Sequence, residues 1–93
     1  RIQIAAIDNL MNEIGKEIQA TLPRIYSKDL LEAIFHLPYT KRTSLTDRGI
    51  GNLKTSGAYL NALERKGFLR SETVGKEKIF LNKRLMDILK RRG

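Results

Sequence analysis

The sequence contains no cysteine and only one histidine, His36. The first absence excludes disulfides and thiolate metal sites and fits a reducing cytosol. The second excludes a histidine-rich metal site, so no metal partner is expected. No apolar run approaches the roughly 18 residues that a membrane-crossing helix needs. No secretory leader is visible either, so the expectation is a cytoplasmic protein without a membrane partner. Also missing are a phosphate-binding glycine loop, a paired-carboxylate site and a nucleophile elbow. Gly49-Ile50-Gly51 lacks the third glycine and the preceding strand of a dinucleotide site, and reads as turn chemistry. Internal repeats and low-complexity segments are absent. The first residue is Arg1 rather than methionine, which reads as a piece of a longer protein.

Acidic side chains are scarce relative to basic ones, 10 against 18, for a net charge of +8. The imbalance is local. Residues 1–26 are neutral, and the whole excess lies in residues 27–93, with 15 basic and 7 acidic side chains. A charge gathered in one part of the chain favours a polyanionic partner over a merely solvated surface. The 93 residues suffice for one domain with a modest core.

The most informative stretch runs from Asn52 to Gly67. Asn52 is a good helix N-cap, with Thr55 and Ser56 as second choices. Tyr59, Leu60 and Leu63 share one face of a 3.6-residue helix, and Lys54, Thr55, Ala58, Asn61 and Arg65 point away from it. Gly67 ends the helix, since a left-handed residue after the last turn costs glycine least. Beyond it, residues 68–74 and 77–81 read as two strands around Gly75-Lys76, a hairpin signal.

Upstream, Ile7, Leu10, Met11, Ile14, Ile18 and Leu22 recur at threes and fours and predict a helix over 2–22, stopped by Pro23. That helix can pack on the rest of the chain, join it to a preceding domain, or pair with a second copy. Ser27 is the N-cap of a helix over 28–37 whose buried face is Leu30, Leu31, Ile34 and Phe35 and whose end is marked by Pro38. His36 lies beside that face, and with no second catalytic group nearby it is read as a partly buried, hydrogen-bonded imidazole. A one- or two-residue strand is expected at Arg42-Thr43. A short helix comes next over 44–48, capped by Thr43 or Ser44 and closed by Gly49, with Ile50 packing inward. Asn82 caps a last helix over about 83–90, carrying Leu85, Met86, Ile88 and Leu89, and residues 91–93 are expected to fray.

A short helix, a turn, a second helix ending in glycine and a basic-tipped hairpin make the winged helix-turn-helix pattern. The predicted fold is α+β and mostly helical. A three-helix core and a β-hairpin wing are joined by an extra N-terminal helix and a short C-terminal one. Residues 1–26 form the leading helix and linker, and residues 27–93 the winged domain.

Three runs carry a more specific resemblance: Pro23-Arg24-Ile25-Tyr26-Ser27, the spacing Thr55…Tyr59-Leu60…Leu63…Gly67, and Gly75-Lys76-Glu77-Lys78-Ile79-Phe80-Leu81-Asn82. Over about residues 5–90 the chain resembles the C-terminal region of bacterial Fic-family proteins. There a winged helix follows the Fic domain, which transfers AMP from ATP to hydroxyl side chains of target proteins. The Fic signature His-Pro-Phe-x-Asp/Glu-Gly-Asn-Gly-Arg is absent from this sequence. The resemblance therefore implies no catalytic residue and no cofactor here, ATP belonging to a parent Fic domain upstream, and no transferase activity in this chain alone. Residues 2–22 would be the connecting helix. Many relatives begin the second helix with an Arg-Gln-Thr-Ala-like run; here Leu53 stands in the arginine's place, and Ala58 where DNA readers often carry a basic or polar side chain.

Two functions are open. As a DNA-binding regulatory module, the chain would turn Lys54, Thr55, Asn61 and Arg65 to the major groove and Lys76 and Lys78 to phosphates, with Lys41, Arg42 and Arg48 as further backbone contacts. As a protein-interaction module, it would pack on its own Fic domain, on a second copy, or on the protein to be modified. The uneven charge favours the first; the apolar stripe of the leading helix and Leu53 favour the second.

Overall fold

The computed structural model describes residues 2–90, with side chains from residue 6 onward. The expected fraying of residues 91–93 lies outside the described residues. Among the described residues, five helices and three strands run in the order α1 (Ile2–Thr21), α2 (Lys28–His36), β1 (Tyr39–Thr40), α3 (Arg42–Asp47), α4 (Leu53–Arg65), β2 (Arg70–Val74), β3 (Glu77–Leu81) and α5 (Lys83–Lys90). The strands form one antiparallel sheet in the order β1-β3-β2. This is a mostly helical, winged-helix-like α+β fold, with α2, α3 and α4 as its helical core and β2-β3 as its wing.

Capping chemistry sets the element boundaries. The Ser27 hydroxyl accepts from the Leu30 amide at 3.0 Å, and the Asn52 side chain from the Thr55 amide at 2.9 Å. The two helices of the helix-turn-helix end alike. At the end of α3, Gly49 N–H donates to the Thr46 carbonyl and Ile50 N–H to the Leu45 carbonyl, both at 2.9 Å. At the end of α4, Gly67 N–H donates to the Glu64 carbonyl and Phe68 N–H to the Leu63 carbonyl, again both at 2.9 Å. Each is a Schellman closure, with glycine at a φ of 79° or 86° where a side chain would be strained.

One core joins all five helices and the wing. Ile14 and Ile18 of α1, Leu30, Leu31, Ile34 and Phe35 of α2, Leu45 of α3, Leu60 and Leu63 of α4, Phe80 of β3 and Leu85 of α5 are buried in a single cluster. The leading helix therefore packs on the winged part, and an Arg84–Glu17 ion pair at 3.6 Å ties α5 to α1 on the surface. Asn82 closes the far end. Its amide nitrogen donates to the Ile34 carbonyl at 3.0 Å while its oxygen accepts from Leu85 N–H at 3.2 Å. The helical donor for the Ile34 carbonyl would be residue 38, a proline without an N–H, so Asn82 supplies the missing bond.

Four expectations are corrected. The small strand is Tyr39–Thr40, paired with Leu81 and Phe80, rather than Arg42-Thr43. The reason is that α3 begins two residues early. Ser44 Oγ accepts from Lys41 N–H at 3.2 Å, so Lys41 becomes the helix boundary and Arg42 and Thr43 fall in the first turn. The cap residue is thus neither Thr43 nor Ser44. The wing strand starts at Arg70 and not at residue 68, because the Phe68 amide serves the closure of α4 and Phe68 and Leu69 fill the core. His36 is exposed rather than partly buried. At about 100° per residue it falls on the far side of α2 from Leu30, Leu31 and Ile34.

Candidate nucleic-acid interface

The second helix of the helix-turn-helix, α4, buries Ser56, Leu60 and Leu63 and packs Tyr59 partly against the core. Ser56 is held from below, its hydroxyl donating to the Ile50 carbonyl at 2.9 Å. This fixes the rotation of the helix and hence the face it shows to solvent. Lys54, Ala58, Asn61 and Arg65 fall within about 60° of one another around the axis, and all four are exposed. Arg65 lies in the last turn, where the helix dipole favours a cation. Thr55 departs from this stripe. It is half-buried, and its methyl group packs against Gly51, where an added Cβ would come within 2.8 Å of it.

The wing stands beside this stripe. Lys78 Nζ donates to Asn61 Oδ1 at 3.2 Å and lies 5.2 Å from the centre of the Phe80 ring. The expected wing-tip cation is therefore folded back against α4, its charge resting on a ring face. On the other side, Lys41 Nζ meets Glu77 Oε1 at 2.9 Å and links the start of α3 to the first residue of β3. Both contacts join residues far apart in sequence, 17 and 36 positions respectively. Together they join the wing to the start of α3 and to α4.

Between the wing and the first turns of α3 and α4 lies an open notch of about 210 Å³, lined by Lys41, Arg42, Thr43, Leu53, Lys76, Glu77 and Lys78. Four of the candidate cations thus converge at one place. The Arg42 stem crosses Gly57 of α4, where an added Cβ would lie 2.9 Å from its Cδ. Arg48 is elsewhere: it caps α3 and lines a shallow depression with His36, Tyr39, Ser44 and Asp47. The structure aligns Lys54, Asn61 and Arg65 on one stripe of α4, gathers Lys41, Arg42, Lys76 and Lys78 around the notch, and links the two groups through the Lys78–Asn61 bond. It places Arg48 in a different depression.

Two acidic residues shape this surface without having been singled out from the sequence. Glu64 Oε2 accepts from the Ser71 hydroxyl at 2.6 Å and from its amide at 2.8 Å, docking β2 onto α4. These bonds from the Ser71 hydroxyl and amide, with Lys78 nearby, hold the Glu64 carboxyl below its ordinary range against the opposing effect of burial. Glu77 is the second, the one acidic side chain lining the notch. Its place between Lys76 and Lys78, interrupting a basic run, was the available signal.

Among the described residues there is no group of three or more acidic, histidine or cysteine side chains that would hold a metal ion. No helix among them is long and apolar enough to cross a membrane. Residues 10–85 of the 93 match the family described as the C-terminal domain of SoFic-like protein adenylyltransferases. A glycine-closed helix pair, a wing docked by Glu64 and a leading helix packed into the same core all lie within or across that match. The chain belongs to the SoFic-like adenylyltransferase C-terminal domain family.

Proposed function

We propose that this domain is a DNA-binding regulatory module of a bacterial, cytoplasmic AMP-transferring protein, reading duplex DNA mainly through its backbone. The observation that carries the reading is the outward stripe of α4. Lys54, Asn61 and Arg65 flank the small Ala58, which leaves the helix free to approach a groove, and the basic notch lies beside them. Asn61 alone has the two-point geometry for adenine, and its oxygen already accepts from Lys78. Phosphate attraction then outweighs base reading, and binding is steeply salt-dependent.

Fluorescence anisotropy of labelled duplex DNA at low and physiological salt tests this. Salt-sensitive binding that is lost in the Lys54→Ala, Arg65→Ala, Lys76→Ala triple variant supports the reading. Absence of binding at low salt, despite a net charge of +8, refutes it.

One observation favours a second use, as a protein-interaction or dimerisation surface that positions or restrains a Fic domain. Leu53 is 49% exposed at the head of the same helix, beside the notch. A dimer by light scattering, dispersed by Leu53→Lys, would favour that use. On either reading the chain has no transferase activity of its own, since the Fic signature does not occur in it. Labelling of the chain or of a target from labelled ATP would overturn that statement.

A further inference from the structure

The notch between the wing and the first turns of α3 and α4 holds four cations, Lys41, Arg42, Lys76 and Lys78, and one anion, Glu77. The anion is bound to the cations' own side. Glu77 Oε1 sits 2.9 Å from Lys41 Nζ, a hydrogen-bonded ion pair. A carboxylate in that position resembles one backbone phosphate in charge and in acceptor oxygens.

We infer that the notch is the seat of a single DNA backbone phosphate and that Glu77 is its internal competitor, lowering affinity for DNA. The inference rests on the DNA-binding reading above and adds to it the group bound and the residue that sets its strength. The pair is open enough to exchange, with side-chain exposures of 37% for Lys41 and 63% for Glu77. An exposed pair of this kind holds weakly, so a phosphate bridging Lys41 and the Arg42 fork displaces it. The displaced carboxylate then faces the phosphate without a partner, and like charges at that range oppose binding. Lys78 does not relieve it, being drawn toward Asn61 and the Phe80 ring. Arg42 is positioned for the exchange because its stem crosses the Cβ-free surface of Gly57, which places it between the two helices.

A different role for the same pair is a simple tie that keeps the wing upright. The two roles predict opposite signs. If Glu77 competes with phosphate, Glu77→Gln tightens DNA binding; if it only positions the wing, the same change loosens it. Glu72, exposed on β2 and outside the notch, provides the control for net charge, since Glu72→Gln adds the same unit of charge elsewhere.

The test titrates a labelled mixed-sequence duplex with the wild-type chain, Glu77→Gln, Glu72→Gln, Lys41→Ala and the Lys41→Ala, Glu77→Gln double variant across a salt series. Removing the opposing carboxylate restores the full weight of one phosphate contact, a slope of log K against log salt steeper by about 0.9 and roughly tenfold in affinity near 50 mM salt. That gain is expected for Glu77→Gln, with Glu72→Gln within about twofold of wild type. The gain is expected to vanish in the Lys41→Ala background, since the freed lysine is what takes the phosphate. Wild-type binding with Glu77→Gln no tighter than Glu72→Gln overturns the inference and leaves the DNA reading standing. Binding by Glu77→Gln alone overturns the DNA-binding reading of the native domain and, with it, the inference that rests on that reading. No binding by any variant overturns both. Circular dichroism of each variant confirms that the comparison is between folded proteins.

Discussion

Replacing Ile18 by alanine tests whether the leading helix is an integral part of this domain. Ile18 is 0% exposed and shares the core with residues of α2, α4 and α5. The change removes three carbon atoms from a sealed site, about 2.4 kcal/mol of transfer free energy at roughly 0.8 kcal/mol per methylene. Incomplete collapse of the space adds about 1 kcal/mol, for a loss near 3.5 kcal/mol. For a chain of this size that corresponds to a fall in Tm of about 15–20 °C. The assay is urea unfolding followed by far-UV circular dichroism, with Leu60→Ala, 0% exposed in α4, measured alongside. A common core requires similar losses at the two positions, a single transition, and midpoints that shift at unchanged slope. A loss below about 1 kcal/mol at Ile18, with the full loss at Leu60, would show that α1 merely adjoins the winged part and would refute the shared core.

Asn82→Ala removes both the cap of α5 and the donor that replaces the missing amide of Pro38, and is expected to cost about 2–3 kcal/mol. Asn82→Asp keeps the cap but turns an oxygen toward the Ile34 carbonyl, so wild-type stability for that variant would contradict the double role. Gly57→Ala is expected to stabilise by about 0.5–1 kcal/mol, because α4 gains helix propensity and only the mobile stem of Arg42 must shift; thermal melting showing a clear loss would mean that Arg42 cannot move aside. Glu64 is held below its ordinary value of 4.5 chiefly by the Ser71 hydroxyl and amide. A depressed folded-state value means that its contribution is complete above 4.5 and is lost as the pH falls through the folded value. The stability gap between wild type and Glu64→Gln should therefore be level near neutrality and close in acid, and a gap that stays constant or widens there contradicts the assignment.

The parts readable from the sequence are those governed by neighbours in the chain. Ser27, Asn52 and Asn82 cap helices because their side-chain acceptors reach amides three residues ahead. Gly49 and Gly67 close helices because the left-handed turn needs no distant partner. The apolar spacing of residues 7–22 and 30–35 likewise sets which face is buried, and Ile14, Ile18, Leu30, Leu31 and Ile34 are all in the core. The resemblance to Fic-family C-terminal regions was equally present in the string, and the family match agrees with it.

Tertiary structure decided whatever depends on residues far apart in the chain. A two-residue strand has no periodicity of its own, so Tyr39–Thr40 is defined only by the register of β3. Lys41 is a poor helix cap by type and serves as a boundary only because Ser44 folds back on its amide. The site obeys the same rule. Sequence alone marked Lys41, Lys76 and Lys78 as candidate phosphate contacts, and it could not show that one is paired with Glu77 and another with Asn61. Local chemistry determined that this chain has a glycine-closed second helix and a basic hairpin. Only the packing of the wing against the starts of α3 and α4 decided which of those charges are free and where they converge.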